Sequence, residues 1–124
     1  MEKIFRKLPL YLQLSNLFYE KLANGEWAGG QKLPAVREIA AQYSANPNTV
    51  QRAFGLLEQK GYLYTVSTSG RFVTRDTRLL SQLREQMAER KVSDCYGALK
   101  ALGYDDRGIE MLLKNMFGRD GSAA

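Results

Sequence analysis

Leu33-Pro34-Ala35-Val36-Arg37-Glu38-Ile39-Ala40, followed by Asn46-Pro47-Asn48-Thr49-Val50-Gln51-Arg52-Ala53, is the stretch that decides how this chain folds. In its first part Val36, Ile39, Ala40 and then Tyr43 fall on one face of a helix. The second part opens with Asn46, whose side-chain oxygen suits a helix cap. Pro47 follows, and its missing N–H costs nothing in a first turn. Val50, Ala53, Phe54 and Leu57 mark the inner face of this helix, and Gly61 its stop. Two short amphipathic helices joined by the polar turn from Ser44 to Asn46, the second with Arg52 on its outer face, have the layout of a helix-turn-helix. In that motif the second helix enters the major groove of DNA.

On the N-terminal side, Leu10, Leu14, Leu17, Phe18 and Leu22 predict a helix that Pro9 starts and Asn24-Gly25 ends. Residues 26–32 contain Gly29-Gly30 and read as a loop, from which Trp27 is expected to fold back onto the core. On the C-terminal side, Tyr62 to Val66 and Arg71 to Thr74 flank Ser67-Thr68-Ser69-Gly70, the pattern of a hairpin. A lone hairpin is marginal in water, so it must pack on the helices; a short third strand near Lys32 is expected to pair with it. Helix-turn-helix plus hairpin makes a winged helix, assigned to residues 1–75.

Residues 76–124 read as a small helical tail. A charged helix from Thr77 to Lys91 carries Leu80, Leu83 and Met87 on one side. Ser93 or Asp94 is expected to start a second helix with Cys95, Ala98, Leu99 and Leu102 inward, ended by Gly103. Asp105 caps a third, bearing Ile109, Leu112, Leu113, Met116 and Phe117, and Gly118 to Ala124 reads as a frayed end. These apolar stripes exceed what three short helices can bury among themselves. A second copy of the chain is their simplest use, with Leu80, Leu83, Met87, Leu99, Leu112 and Met116 as the dimerisation residues. The fold class is α+β: a winged helix-turn-helix domain with a short all-α dimerisation tail.

Composition narrows the function. The 124 residues suggest one domain with an appendage, and 44% hydrophobic content is enough for a core. No apolar run approaches the ~20 residues of a membrane span, and no signal peptide is expected. A single cysteine, Cys95, forms no internal disulfide and reads as a small core residue; its isolation favours a reducing cytoplasm. Histidine is absent, which removes the commonest general base and metal ligand. With no grouped carboxylates and no phosphate-binding glycine loop, neither an enzyme nor a metal or cofactor is expected. The net charge is +5, and its distribution is uneven. Up to Arg75 ten Lys and Arg face five Asp and Glu, whereas beyond it eight face eight. The excess positive charge therefore lies in the helix-turn-helix part, which suits binding to DNA or RNA, although a charge of this size also serves solubility alone.

The chain resembles the GntR family of bacterial transcription regulators. The matching residues are Pro9-Leu10-Tyr11 and Gln13, Gly25, Gly30, Lys32-Leu33-Pro34, Arg37-Glu38-Ile39-Ala40, Asn48-Thr49-Val50, Arg52-Ala53, Leu57-Glu58, Gly61-Tyr62-Leu63, Gly70 and Phe72-Val73. The recognition-helix sequence and the short tail are similar to the YtrA branch. That resemblance implies a tail that dimerises and genes that sit beside transporters of the ATP-binding-cassette type. Two departures stand out. Ala35 replaces a serine common in relatives, which would complete a capping box with Glu38. Ser67-Thr68 replace an Arg-Gly pair, so the wing is expected to lack a cation.

The resemblance and the helix pattern together nominate the DNA-binding residues. Arg37 lies off the apolar stripe and at a position that contacts DNA in relatives, which suits a phosphate bond. Asn46, Asn48 and Thr49 crowd the N-terminus of the second helix, where free N–H groups favour a phosphate. Asn48 or Gln51 can read an adenine, and Arg52 can reach a guanine or a phosphate. Ser69, Gly70 and Arg71 of the wing can touch the backbone. The expected function is a dimeric cytoplasmic regulator, a repressor on an inverted-repeat operator. A small-molecule effector, if one exists, would use the apolar surface near Leu83, Met87 and Leu99. The alternatives are a winged helix that binds protein without specific DNA binding and, behind it, a single-stranded RNA binder, for which so small a sheet offers no stacking face.

Overall fold

A computed structural model of the chain describes residues 8–119. The elements in order are α1 (Leu10–Ala23), α2 (Val36–Tyr43), α3 (Pro47–Gln59), β1 (Leu63–Val66), β2 (Gly70–Val73), α4 (Thr77–Ala101) and α5 (Asp106–Arg119). They form two compact units, Met1–Glu85 and Gln86–Ala124, with the division inside α4.

The first unit is a winged helix. Leu14, Phe18 and Leu22 of α1, Ile39 and Ala40 of α2, and Val50, Ala53, Phe54 and Leu57 of α3 are all buried. Trp27 folds back from its loop, and the ring of Phe18 lies 5.1 Å from those of both Trp27 and Phe54. Offset aromatic contacts of this kind add to the apolar area they bury. The turn after α2 ends in a Schellman pattern: Ala45 N–H donates to the Ala40 carbonyl at 2.8 Å and Ser44 N–H to Ala41 at 3.3 Å. Ser44 takes the left-handed conformation there, at φ 52°. Asn46 caps α3 by accepting the Asn48 N–H at 2.7 Å, with Pro47 in the first turn.

The wing is an antiparallel hairpin in the register Leu63↔Val73, Tyr64↔Phe72, Thr65↔Arg71 and Val66↔Gly70. Its outer edge is covered by residues 30–33. Gly30 N–H donates to the Val73 carbonyl, Val73 N–H to Gln31, and Leu33 N–H to Arg71, at 2.9–3.0 Å. The third strand expected near Lys32 is thus a single bridge, Lys32↔Phe72. Glu58 ties the hairpin to α3. Its carboxylate accepts Arg71 Nε at 3.1 Å and Thr65 Oγ1 at 2.9 Å.

The start of α4 belongs to this unit. A side chain on Gly29 or Gly61 would touch Leu80 or Leu79, at 3.6 and 3.8 Å, and Leu83 is buried. The expectation of two helices between Thr77 and Leu102 is corrected: α4 is one helix of 25 residues. Ser93 and Asp94 favour a cap only where the backbone already leaves helical angles. No proline enforces that here, and one glycine, Gly97, costs only about 1 kcal/mol. Continuity turns Cys95 outward, so it is exposed and not a core residue. Ala98 is exposed as well, and Leu102 is 75% exposed.

In the second unit Gly103, at φ 97°, lies just beyond the end of α4, and Asp105 caps α5, accepting the Gly108 N–H at 2.8 Å. Tyr96 Oη donates to Asp106 at 2.6 Å and Lys100 lies 3.3 Å from the same oxygen. These two donors hold the Asp106 carboxyl below its ordinary range. Ile109 is buried, while Val92, Tyr96, Tyr104, Met111, Met116 and Phe117 are exposed. The frayed end expected from Gly118 onward falls, from residue 120, outside the described residues; Gly118 and Arg119 belong to α5.

Two stability predictions follow from these local bonds. Ala35 sits at the cap of α2 in extended conformation, and its N–H donates to Glu38 Oε1 at 3.3 Å. Only one arm of a capping box is therefore made, because alanine has no acceptor to offer in return. Ala35→Ser should raise unfolding stability by about 1 kcal/mol in urea titration, and an unchanged midpoint would contradict the missing-arm account. Glu58→Gln should lower stability by about 1 kcal/mol, the value being modest because the pair is only partly buried. If the thermal midpoint of Glu58→Gln matched the parent, the tie between α3 and the hairpin would carry no energy.

Candidate nucleic-acid interface

Helix α3 has two faces because its apolar residues recur at helical spacing. Val50, Ala53, Phe54 and Leu57 point into the core. Asn48, Gln51 and Arg52 are exposed, and Thr49 is half-buried. The side-chain oxygen of Asn46 is engaged in the cap, so this residue acts first by shaping the helix start. Asn48, Thr49 and Arg52 border a recess of about 280 Å³ with Leu10 and Tyr11 of α1. Arg52 Cζ stands 3.7 Å from the centre of the Tyr11 ring.

Arg37 projects from the first turn of α2. It is exposed and makes no ion pair among the described residues. A groove of about 490 Å³ separates the start of α2 from the wing, lined by residues that include Lys32, Ala35, Glu38, Thr68, Ser69 and Arg71. Ser69 is exposed at the wing tip, and Gly70 is half-buried at φ 111°. Arg71 turns toward the protein: its guanidinium meets Glu58 and lies 5.1 Å from the Phe54 ring centre. Strand alternation places Arg71 there, opposite Thr65.

Lys32, from the segment that covers the wing's edge, brings a cation beside the hairpin. A Cβ on Gly70 would lie 3.0 Å from Lys32 Cε and 3.8 Å from Nζ, so the lysine stem runs across the wing at its glycine. Sequence reading did not single out Lys32 as a candidate, because the bridge Lys32↔Phe72 is a long-range pairing. Its signal was present in the expected third strand, which implied this proximity. Tyr11 was also missed, its spacing showing only a helix beside the apolar stripe. No group of acidic, cysteine or histidine residues that could hold a metal occurs among the described residues. No helix among them is long and apolar enough to cross a membrane.

This architecture has close counterparts. Residues 10–73 match the family described as bacterial regulatory proteins, gntR family. The HTH-type transcriptional repressor YtrA of Bacillus subtilis (strain 168) is 29% identical, over 74% of this chain and 75% of its own. A GntR family transcriptional regulator from Listeria monocytogenes superposes with TM-score 0.80 at 29% identity, over 90% of this chain and 98% of that one. The DNA-binding domain of AraR in complex with operator ORR3 superposes with TM-score 0.55 at 28% identity, over 60% of this chain and 89% of that one. The core, the capped recognition helix and the paired wing thus coincide with a matched family over the same residues, and the chain belongs to the GntR family of bacterial regulatory proteins, as a winged-helix DNA-binding regulator of transcription and not an enzyme.

Proposed function

We propose that the protein is a homodimeric repressor that reads an inverted-repeat operator in double-stranded DNA. One observation carries the DNA half of this reading: the outer face of α3 offers Asn48, Gln51 and Arg52 to solvent, while Arg37 is exposed on α2 and Lys32 lines the groove between α2 and the wing, neither in an ion pair among the described residues. Amide and guanidinium groups on a helix face are the groups that read base edges, and flanking cations position the protein on phosphates. The neighbour solved with its operator supports the same use of the fold. Thr49 and the N–H groups at the start of α3 suit a phosphate, and Ser69 and Gly70 suit backbone contact by the wing. Arg71, engaged with Glu58, acts by holding the wing in place. Such a protein works in the cytoplasm, where the bacterial chromosome is.

The dimer half rests on the second unit. Met111, Leu113, Met116 and Phe117 of α5, with Val92, Tyr96 and Leu102, leave more large apolar side chains in water than a small helical pair normally does. Half-buried Met87, Leu99 and Leu112 adjoin them along the same helices. Leu83 is buried within the chain and Leu80 is half-buried against Gly29, so these two have little surface for a partner. A two-fold pair of reading heads expects half-sites about one helical turn or more apart. The resemblance to YtrA, named a repressor, supports the sign of regulation.

Duplex DNA from upstream of the protein's own operon, titrated beside a scrambled duplex, should bind more tightly by about three orders of magnitude at physiological salt. Equal weak binding to both would favour the protein-interaction module instead. Arg52→Ala should weaken operator binding by about 1–3 kcal/mol. Lys32→Ala should weaken it on all sequences alike and flatten the dependence on salt by about one counterion. Light scattering at micromolar concentration should give twice the chain mass; a monomer mass would sink the dimer.

A further inference from the structure

We infer that Tyr11 is a positioning residue for Arg52, and that this pairing makes Arg52 a reader of guanine and not a phosphate anchor. The inference rests on the operator-binding reading above. Arg52 Cζ lies 3.7 Å from the centre of the Tyr11 ring. That is one van der Waals thickness, so the guanidinium carbon sits directly over the ring face. A cation in this place is attracted by the ring quadrupole. An unrestrained arginine side chain carries substantial rotamer entropy, which binding must remove. Stacking removes part of it before DNA arrives.

The kind of restraint matters. Tyr11 holds Arg52 through the ring face and takes none of its N–H donors. Arg71 makes the contrast within the same unit: it is held by a carboxylate, and Glu58 occupies its Nε. Arg52 forms no ion pair among the described residues and borders an open recess with Asn48 and Thr49. An oriented guanidinium with free donors suits a bidentate contact to guanine O6 and N7, which demands a fixed plane. A phosphate accepts a cation from many directions and gains less from such restraint. Tyr11 itself cannot drift, because Leu14 and Phe18, one and two turns along α1, are buried in the core.

The test is a double-mutant cycle on the duplex that the wild-type protein selects from a randomised pool. Tyr11→Leu should weaken binding to that duplex about fivefold or more, and should have no further effect once Arg52 is alanine. The loss should fall on one G·C pair: discrimination against its A·T replacement shrinks in Tyr11→Leu and survives in Tyr11→Phe, which keeps the ring. A readout free of DNA accompanies it. Arg52 side-chain protons in the free protein should be shifted upfield by the Tyr11 ring current, and should lose that shift in Tyr11→Leu at an unchanged thermal midpoint. Equal losses with and without Arg52, or a loss spread evenly over all sequences, would overturn the inference while leaving operator binding intact. A wild-type protein that enriches no sequence would overturn operator binding and this inference together.

Discussion

Phe54 is the side chain on which the first unit turns. It is 1% exposed, and its ring meets Phe18 of α1 at 5.1 Å and Trp27 of the loop at 6.3 Å. The guanidinium of Arg71, on the hairpin, lies 5.1 Å from the same ring. One residue of α3 therefore meets α1, the loop that folds back and the wing. A helix whose inner face is gripped on three sides cannot rotate about its axis, and packed interiors resist small shifts. Because α3 cannot rotate, Asn48, Gln51 and Arg52 face outward together, which is the condition for reading any surface.

The wing is held by a second set of contacts of a different kind. Its strands are four residues each, too short to be stable alone. Backbone bonds from residues 30–33 cover one edge, and Glu58 gathers Thr65 and Arg71 from its two strands. These polar ties set where the hairpin stands relative to α3. They also decide the role of each nearby cation. Arg71 is engaged with Glu58, and the Lys32 side chain, delivered by the covering segment, lies beside Gly70.

The second unit is built on the opposite principle. Its polar contacts are exposed, and Tyr96, Lys100 and Asp106 join α4 to α5 in water, where such bonds contribute little. Its apolar residues are numerous and largely uncovered. The first unit buries its apolar core, whereas the second leaves most of its large apolar side chains exposed.

Local chemistry is what the sequence by itself determined. The bounds of α2, the Asn46-Pro47 start of α3, the buried set Val50, Ala53, Phe54 and Leu57, the cap at Asp105 and the stops at Gly61 and Gly103 all follow from residues within a turn or two of one another. The order and spacing of these pieces were enough to show the family. The continuity of α4 through Ser93 and Asp94 was not legible, because a capping residue acts only where the chain already bends. Nor was the engagement of Arg71 by Glu58, or the approach of Lys32 to Gly70 and the stacking of Arg52 on Tyr11, the last two joining residues roughly forty apart in the chain. Tertiary structure alone decided these, since which cation meets a carboxylate, a ring or open water depends on segments brought together by the shared core and by the pairing of residues 30–33 with the wing.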